Sequence, residues 1–471
     1  LIRIALALLL AALATLFARA AGAEDADERP PSRAIDPGVA SGPPLVYATR
    51  PSFARDLRAC SARVPVCVHA AGPGEGDAAM ATLDAFERAW RTLTGALEVP
   101  APDVDPSTLA YDVFLVEPRG WELAATSLEA RDLRSRFDRG RAFTAIDRRV
   151  RRGCLLDALA AREIARASLF RVAPATEEGT ARAQTTYLAE LASPCAVAIE
   201  GDAVSAFQSR PERAFADAYA GEEAAVAGGP APATRSPVDA LFAEGASIFW
   251  ARLDWAFGRS PGRVVTASWA LHPTATDPSA PRWTNEPDTF DVLRATFKGA
   301  LTSQGTVSDL WLDFGIARAF LGSADDGLHL PELRTLGDMA RVPYDWDIPW
   351  PKAPRRLAPR APVYPTGASY LLVRRAGAPS GARLRVEIDW EEHALFRWAF
   401  VKLDAAGREL GRVVIPTAER ATEAQMTLVE LDAVDRVLLV GVNVGDPAYA
   451  FDPDDEVWEP HAWMVTVAEV P

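Results

Sequence analysis

The chain has 471 residues and a net charge of −14. That length is enough for two or three domains of ordinary size. The acidic balance, with no basic arm or stripe to offset it, argues against nucleic acid as a partner.

Leu1-Ile2-Arg3 is followed by a run from Ile4 to Phe17 without a charge, then Ala21-Gly22-Ala23 ahead of Glu24-Asp25. A positive start, a short apolar run and a small-residue cleavage pattern predict a cleaved secretory signal over residues 1–23. No Cys follows the run, so no lipid anchor is expected. Residues 24–44 are rich in Pro, Asp, Glu and Gly and are expected to be a disordered leader. No later segment is long and apolar enough to span a bilayer, so no membrane contact is expected after cleavage, and the mature chain is expected to be secreted or periplasmic.

Four cysteines, Cys60, Cys67, Cys154 and Cys195, form an even set in a chain read as secreted, which favours disulfides. Of the three possible pairings we take Cys60–Cys67 with Cys154–Cys195. A metal site built on them has no C-x-x-C spacing to support it, and no cofactor is expected.

Asp77 to Leu97 carries Met80, Leu83, Phe86, Ala89, Trp90 and Leu93 at helical spacing, ended by Gly95 and Pro100. Tyr111 to Val116 and Gly140 to Val150 read as strands. Arg148, Arg149, Arg151 and Arg152 read as a solvated loop. Leu155 to Phe170 and Thr180 to Leu191 read as helices, and Ala220 to Pro237 as a flexible loop. Val238 to Phe257 reads as one helix closed by Gly258, followed by helices over Val264 to Leu271, Phe290 to Leu301 and Val307 to Leu321. Ala340 to Pro362, dense in Pro and Trp, reads as a linker. Short β-rich runs then recur at Ser369–Arg374, Ala382–Trp390, Phe396–Leu403, Leu410–Ile415, Gln425–Glu430, Arg436–Val444 and Trp463–Val467. That spacing predicts an antiparallel β-sandwich. The fold class expected is α+β: a mostly helical α+β domain over residues 45–350, then linker and sandwich over 351–471.

Within the helix after Cys154 lies Arg162-Glu163-Ile164-Ala165-Arg166. By itself Arg-Glu-x-x-Arg is an ordinary source of i,i+3 and i,i+4 ion pairs. It is also the frame in which a zinc peptidase carries His-Glu-x-x-His, two imidazoles on one helix face with a Glu to polarise the attacking water. The surroundings add to the second reading. Glu244-Gly245-Ala246-Ser247-Ile248-Phe249-Trp250-Ala251-Arg252-Leu253 with Phe257-Gly258 resembles the G-x-x-F-x-x-L helix of gluzincin-type peptidases. Leu310 to Phe320 resembles the F-x-x-F-A-x-A helix near their end, and Tyr364 to Tyr370 resembles the junction to the β domain in a family of secreted metalloproteases from myxobacteria-like organisms. The resemblance spans roughly Tyr111 to Val467.

The resemblance places the general base at Glu163 and the two imidazoles at positions 162 and 166, where this chain has Arg. A guanidinium has no lone pair and stays charged, so it cannot ligate zinc. The third-ligand window holds Gln184, Thr185, Thr186 and Glu190. The expected outcome is a degenerate site, Arg162, Glu163, Arg166, Gln184 and Glu190, in which two guanidiniums repel unless a carboxylate lies between them or an anion is bound. Arg162 or Arg166 is expected to pair with a carboxylate in the cleft, Glu163 being local and Glu190 within reach from the next helix. The expected function is a catalytically inactive metallopeptidase-like protein with a binding or assembly role at the cell envelope. The alternatives are a hydrolase whose active site is not recognised and a purely structural surface protein.

Other chemistry finds little support. No G-x-S-x-G occurs, and His69, His272, His329, His393 and His461 are expected to be structural or surface residues. Asp446, Asp452, Asp454, Asp455 and Glu456 form a solvated acidic turn or, less in keeping with their spacing, a calcium site through Asp452, Asp454 and Asp455. The tryptophans of the linker and β region, Trp283, Trp346, Trp350, Trp390, Trp398, Trp458 and Trp463, fill the core and the domain interface, or else dock a glycan or a protein.

Overall fold

The computed structural model describes residues 47–117, 122–193, 195, 197–215, 237–272, 287–296, 306–418, 420–445 and 459–470. The expected signal and leader, the flexible loop as far as residue 236, and the calcium candidates Asp452, Asp454 and Asp455 lie outside these residues.

The first part of the chain is a mixed sheet backed by helices. Its strands are β1 (Leu57–Cys60), β2 (Val66–Ala70), β3 (Tyr111–Val116), β4 (Ala124–Arg131) and β5 (Gly140–Asp147), in the order β1-β2-β3-β5-β4. β2, β3 and β5 run parallel, while β1 and β4 are antiparallel edges. Helix α1 (Gly76–Arg91) joins β2 to β3, and α2 (Cys154–Val172) follows β5. Val66, Val68, Tyr111, Val113, Leu115 and Ile146 share one core with Leu83, Phe86 and Trp90 of α1 and Leu159 and Ile164 of α2. Met80, counted in the apolar stripe of α1, is instead 50 % exposed. It sits one turn from the buried positions, on the rim of the stripe.

Helices α3 (Glu178–Ala192), α4 (Val197–Gln208), α5 (Pro237–Gly245), α6 (Ser247–Phe257), α7 (Arg263–Leu271), α8 (Thr289–Thr296) and α9 (Val307–Arg318) complete this part. The single helix expected over Val238 to Phe257 is two, divided at Ala246. Gly245 shows where the packing is tightest: a Cβ there would lie 2.0 Å from the carbonyl oxygen of Ala203 in α4. Only a residue without a side chain lets the two backbones approach so closely. Both expected disulfides form. Cys60–Cys67 joins partners in the β1–β2 ladder, and Cys154–Cys195 ties the start of α2 to the segment between α3 and α4.

The second part holds two sheets. One has the order β11-β10-β13-β8-β6 and the other β12-β9-β14-β7. Their strands are β6 (Trp346–Pro349), β7 (Arg355–Leu357), β8 (Ala368–Arg374), β9 (Arg383–Trp390), β10 (Phe396–Leu403), β11 (Glu409–Val414), β12 (Glu423–Leu428), β13 (Arg436–Asn443) and β14 (Trp463–Val470). All pairings are antiparallel except β6 with β8. Leu384, Val386 and Ile388 of β9 alternate with exposed residues and meet Phe396, Trp398 and Phe400 of β10 in a shared core. Trp350, Trp390, Trp398 and Trp463 are buried, whereas Trp346 is only partly covered. Trp283 and Trp458 lie outside the described residues.

The segment expected as a linker contributes β6 and β7, one to each sheet. Both are edge strands, where Pro349 forfeits no central ladder bond. β8, β10 and β13 are buried on both faces. Their second face, with Tyr370, Ala399, Val401, Leu438, Val440 and Val442, belongs to the core of the helical part. Helix α9 lies on this face: the Tyr370 hydroxyl donates to the Gly315 carbonyl at 2.7 Å, and a Cβ on Gly315 would come within 2.6 Å of Val442. Arg397 of β10 adds a 2.7 Å bond to Asp309, which also closes the Thr306 capping box of α9. The chain is thus α+β, with its two parts joined by an apolar contact and a polar rim.

Candidate functional site

Arg162 and Arg166 lie one helical turn apart on α2 and share a face. The Arg162 guanidinium donates from Nε to Glu163 Oε1 at 2.9 Å, from Nη1 to Glu244 Oε1 at 2.9 Å, and from Nη2 to the Ala124 carbonyl of β4 at 3.3 Å. Arg182 of α3 reaches the same Glu244 oxygen at 3.2 Å, Glu178 Oε1 at 2.8 Å and Glu122 Oε1 at 2.6 Å. Arg166 donates to the other oxygen of Glu178 and lies over the Phe170 ring. A continuous ion chain results, Glu163–Arg162–Glu244–Arg182–Glu178–Arg166, running across α2, α3 and the end of α5.

Its centre is well buried. The Glu163 and Glu244 side chains are 4 % and 5 % exposed, and that of Arg162 is 17 % exposed. Burial works to lower the Arg162 pKa, but the charges of Glu163 and then Glu244 outweigh it and hold the guanidinium above its ordinary range. Within the cluster Arg162 uses all three of its nitrogens, whereas Arg166 Nη1 is buried without a hydrogen-bond partner. The arginine atoms offer no lone pair to a metal.

The carboxylates that meet the arginines differ from the expected set. Glu163 is a partner, but Glu190 is not: it accepts from Ser247 Oγ at 3.1 Å. Gln184 is fully buried and accepts from Trp269 Nε1 at 2.8 Å. Thr185 donates to the Ala181 carbonyl one turn back. Gln184 thus points from α3 toward α7 and Glu190 toward α6, while Glu178 and Arg182 reach Arg166 of α2 and Glu244 of α5. Glu178 and Glu244 were missed in the sequence. The Glu178–Arg182 spacing of four was the one local signal available, whereas Glu244 arrives from 82 positions along the chain.

A second cluster sits where the two parts of the chain meet. Among the described residues, Asp326, His329 and Glu409 bring three potential metal-ligating atoms within 4.8 Å of one another. His329 Nδ1 lies 2.9 Å from Asp326 Oδ1, its Nε2 lies 3.3 Å from Glu409 Oε2, and its ring stacks on Phe320 at 4.2 Å. Arg412, however, forks onto both Glu409 oxygens at 2.7 Å and places Nη2 3.1 Å from His329 Nε2. A guanidinium already stands where a cation would sit, so these residues do not fit a metal centre. Arg412 also reaches Asp313 at 3.2 Å, and Asp313 holds Arg252 of α6 at 2.7 Å. This is an ion network fastening β11 to the helical part.

Burial works to raise the Glu409 pKa, but bonds from His329 and Arg412 overcome it and push it down to about 2. A depressed carboxylate contributes stability above its ordinary pKa of 4.5 and loses it as pH falls toward 2. The wild-type chain should therefore lose stability more steeply across that interval than Glu409→Gln, as read from urea midpoints at successive pH values. Equal slopes would remove Glu409 from the acid response.

Two further histidines have structural surroundings. His272 is buried beside Thr289, and burial pushes its pKa down to about 4. His461 lies 3.3 Å from Glu391. Arg148 and Arg149, read as a solvated loop, pair with Glu75 and Asp147.

No family model and no curated protein matches the chain. Among solved structures, the enzymatically active domain of bacteriophage CBA120 tailspike protein 4 matches 26 % of this chain and 18 % of its own length, at 8 % identity and a TM-score of 0.17. The insecticidal delta-endotoxin Cry8Ea1 of Bacillus thuringiensis matches 25 % of this chain and 20 % of its own, at 11 % identity and a TM-score of 0.14. The chain spans about a fifth of the length of either protein, and likenesses of that size carry no argument about fold or function.

Proposed function

We propose that this chain is a catalytically inactive, metallopeptidase-like protein that uses its scaffold for binding or assembly at the cell envelope. One observation supports the reading above the others. The two positions that would carry zinc-binding imidazoles hold arginines, and both are engaged with carboxylates rather than turned to open solvent. A surface helix would have left them solvated; here they close the space between α2, α3 and α5. The same reading takes residues 45–350 as a gluzincin-like unit, the two later sheets as a β-sandwich, and residues 1–23 as a secretory signal. Two disulfides suit an oxidising compartment.

Zinc content tests it. Protein equilibrated with excess zinc and then dialysed should retain no stoichiometric zinc by elemental analysis, and should not cleave a denatured protein substrate. One zinc per chain, with proteolysis that Glu163→Gln abolishes while the zinc stays bound, would overturn the proposal and restore an enzyme.

A further inference from the structure

Residues 47–56 cross the sheet on the face opposite α1 and α2. The Ala48 amide donates to Leu128 of β4 at 2.8 Å. Arg50 reaches Asp112 of β3 at 2.6 Å, Glu129 of β4 at 2.6 Å and Asp105 at 2.8 Å. The Phe53 ring packs on Phe114 of β3. Asp56 then meets His69 of β2. Strand alternation explains the site: Val66, Val68, Tyr111 and Val113 face the helical core, so His69, Asp112 and Phe114 face the other way.

His69 is bound at both ring nitrogens. Nδ1 lies 2.9 Å from Asp56 Oδ2, and Nε2 lies 3.1 Å from Asp112 Oδ1. An ionised carboxylate only accepts, and a neutral imidazole has one donor, so both bonds together require the imidazolium. Phe114 stacks on the ring at 4.8 Å. Arg58 stands directly opposite His69 in the β1–β2 ladder, but its guanidinium turns to Cys67 Sγ at 3.3 Å and the Thr108 carbonyl at 3.4 Å. Asp112 has further partners, Arg50 and the Thr108 hydroxyl. Glu129, beside Arg50, also takes Arg141 of β5.

We propose that residues 47–56 form a pH-sensitive strap, in which protonated His69 clasps Asp56 to Asp112 and loss of that proton opens the clasp. With the proton gone, buried Asp112 keeps Arg50 and Thr108, whereas Asp56, whose side chain is 44 % exposed, loses its charged partner. The strap end nearest β1 is therefore the part that loosens. The sign follows from the neighbours. Burial works to lower the His69 pKa, but bonds from Asp112 and then Asp56 hold it above 6.5. Its contribution is complete below that value and disappears as pH rises through the folded pKa. Asp112 moves the other way: burial raises its pKa, but His69 and Arg50 more than offset this and keep it below 3.8, so the carboxylate side of the clasp holds throughout the mildly acidic range.

Trypsin cleavage between Arg55 and Asp56, followed by mass spectrometry, reads the strap directly. Rates are compared for wild type, His69→Gln and Asp56→Asn at about pH 5.5 and about pH 8.5, on either side of the imidazole range. The quantity read is the variant-to-wild-type ratio at each pH, which cancels the pH dependence of the protease. Both variants should be cut several-fold faster than wild type at the acid pH, and each ratio should fall several-fold by the alkaline pH. Ratios that do not change with pH would overturn the clasp. Asp56→Asn alters a partly exposed carboxylate, so it keeps the test decisive if His69→Gln fails to fold.

Discussion

Replacing Arg162 with alanine is expected to lower the unfolding free energy by about 3–5 kcal/mol, the range for removing one partner of a buried ion pair. The size comes from what is left behind. Glu163 and Glu244 are almost fully buried, and each loses a guanidinium bond of 2.9 Å. Glu244 retains Arg182 at 3.2 Å, so Glu163 is the more exposed to desolvation without compensation. The double change Arg162→Ala/Glu163→Gln should recover part of the loss, because the orphaned charge goes with its partner. Urea unfolding of the four proteins in the cycle measures both terms. A loss near that of an exposed pair, below about 1 kcal/mol, would mean that the cluster is solvated and that its carboxylates need no arginine.

Much of this arrangement was legible from local pattern, and the rest depended on contacts that a linear pattern does not carry. The runs of β8, β10 and β13 stood out because burial on both faces removes the polar alternation, leaving Tyr370-Leu371-Leu372-Val373 and Val437-Leu438-Leu439-Val440 as nearly continuous apolar stretches. The break at Ala246 was hidden for the opposite reason. Phe242, Gly245 and Phe249 keep helical spacing straight through it, so the period survives although the helix does not. β6 was lost to the adjoining prolines, since Trp346-Asp347-Ile348-Pro349 reads as an irregular segment until β8 offers a partner. β1, β2, β4 and α4 were not anticipated. β4 is Ala- and Glu-containing and only partly covered, so its sequence has weak strand character.

The same division runs through the candidate site. That Arg162 or Arg166 would meet a carboxylate was expected from charge, because two guanidiniums one turn apart repel unless a carboxylate or a bound anion intervenes. Which carboxylates they meet did not follow. Glu190 was the nearest candidate by sequence, but the turn of α3 sends it to Ser247, while Glu244 is delivered by the close approach of α5 to α4 at Gly245. The cluster of Asp326, His329, Glu409 and Arg412 was out of reach for a similar reason: its halves lie 83 positions apart and join only when β11 docks on the helical part.

Restoring the imidazoles is expected to fail. In Arg162→His/Arg166→His the side chains are shorter and, near neutral pH, mostly uncharged. The Glu244 oxygen that Arg162 reaches from the tip of its side chain lies beyond an imidazole at the same backbone position. Glu163 and Glu244 then lose one guanidinium and Glu178 loses another, with Arg182 left to serve both Glu178 and Glu244. The stability loss should therefore exceed that of Arg162→Ala. Zinc should not offset it, because a catalytic zinc needs three protein ligands in addition to water. Gln184 and Glu190 are committed to Trp269 and Ser247 on the far side of α3. The expected result is a lower urea midpoint that added zinc does not raise, no zinc after dialysis, and no proteolysis. A double variant that keeps one zinc per chain and regains its midpoint on zinc addition would show that a third ligand comes within reach, and would identify the ion cluster as a metal site with only its two imidazoles exchanged.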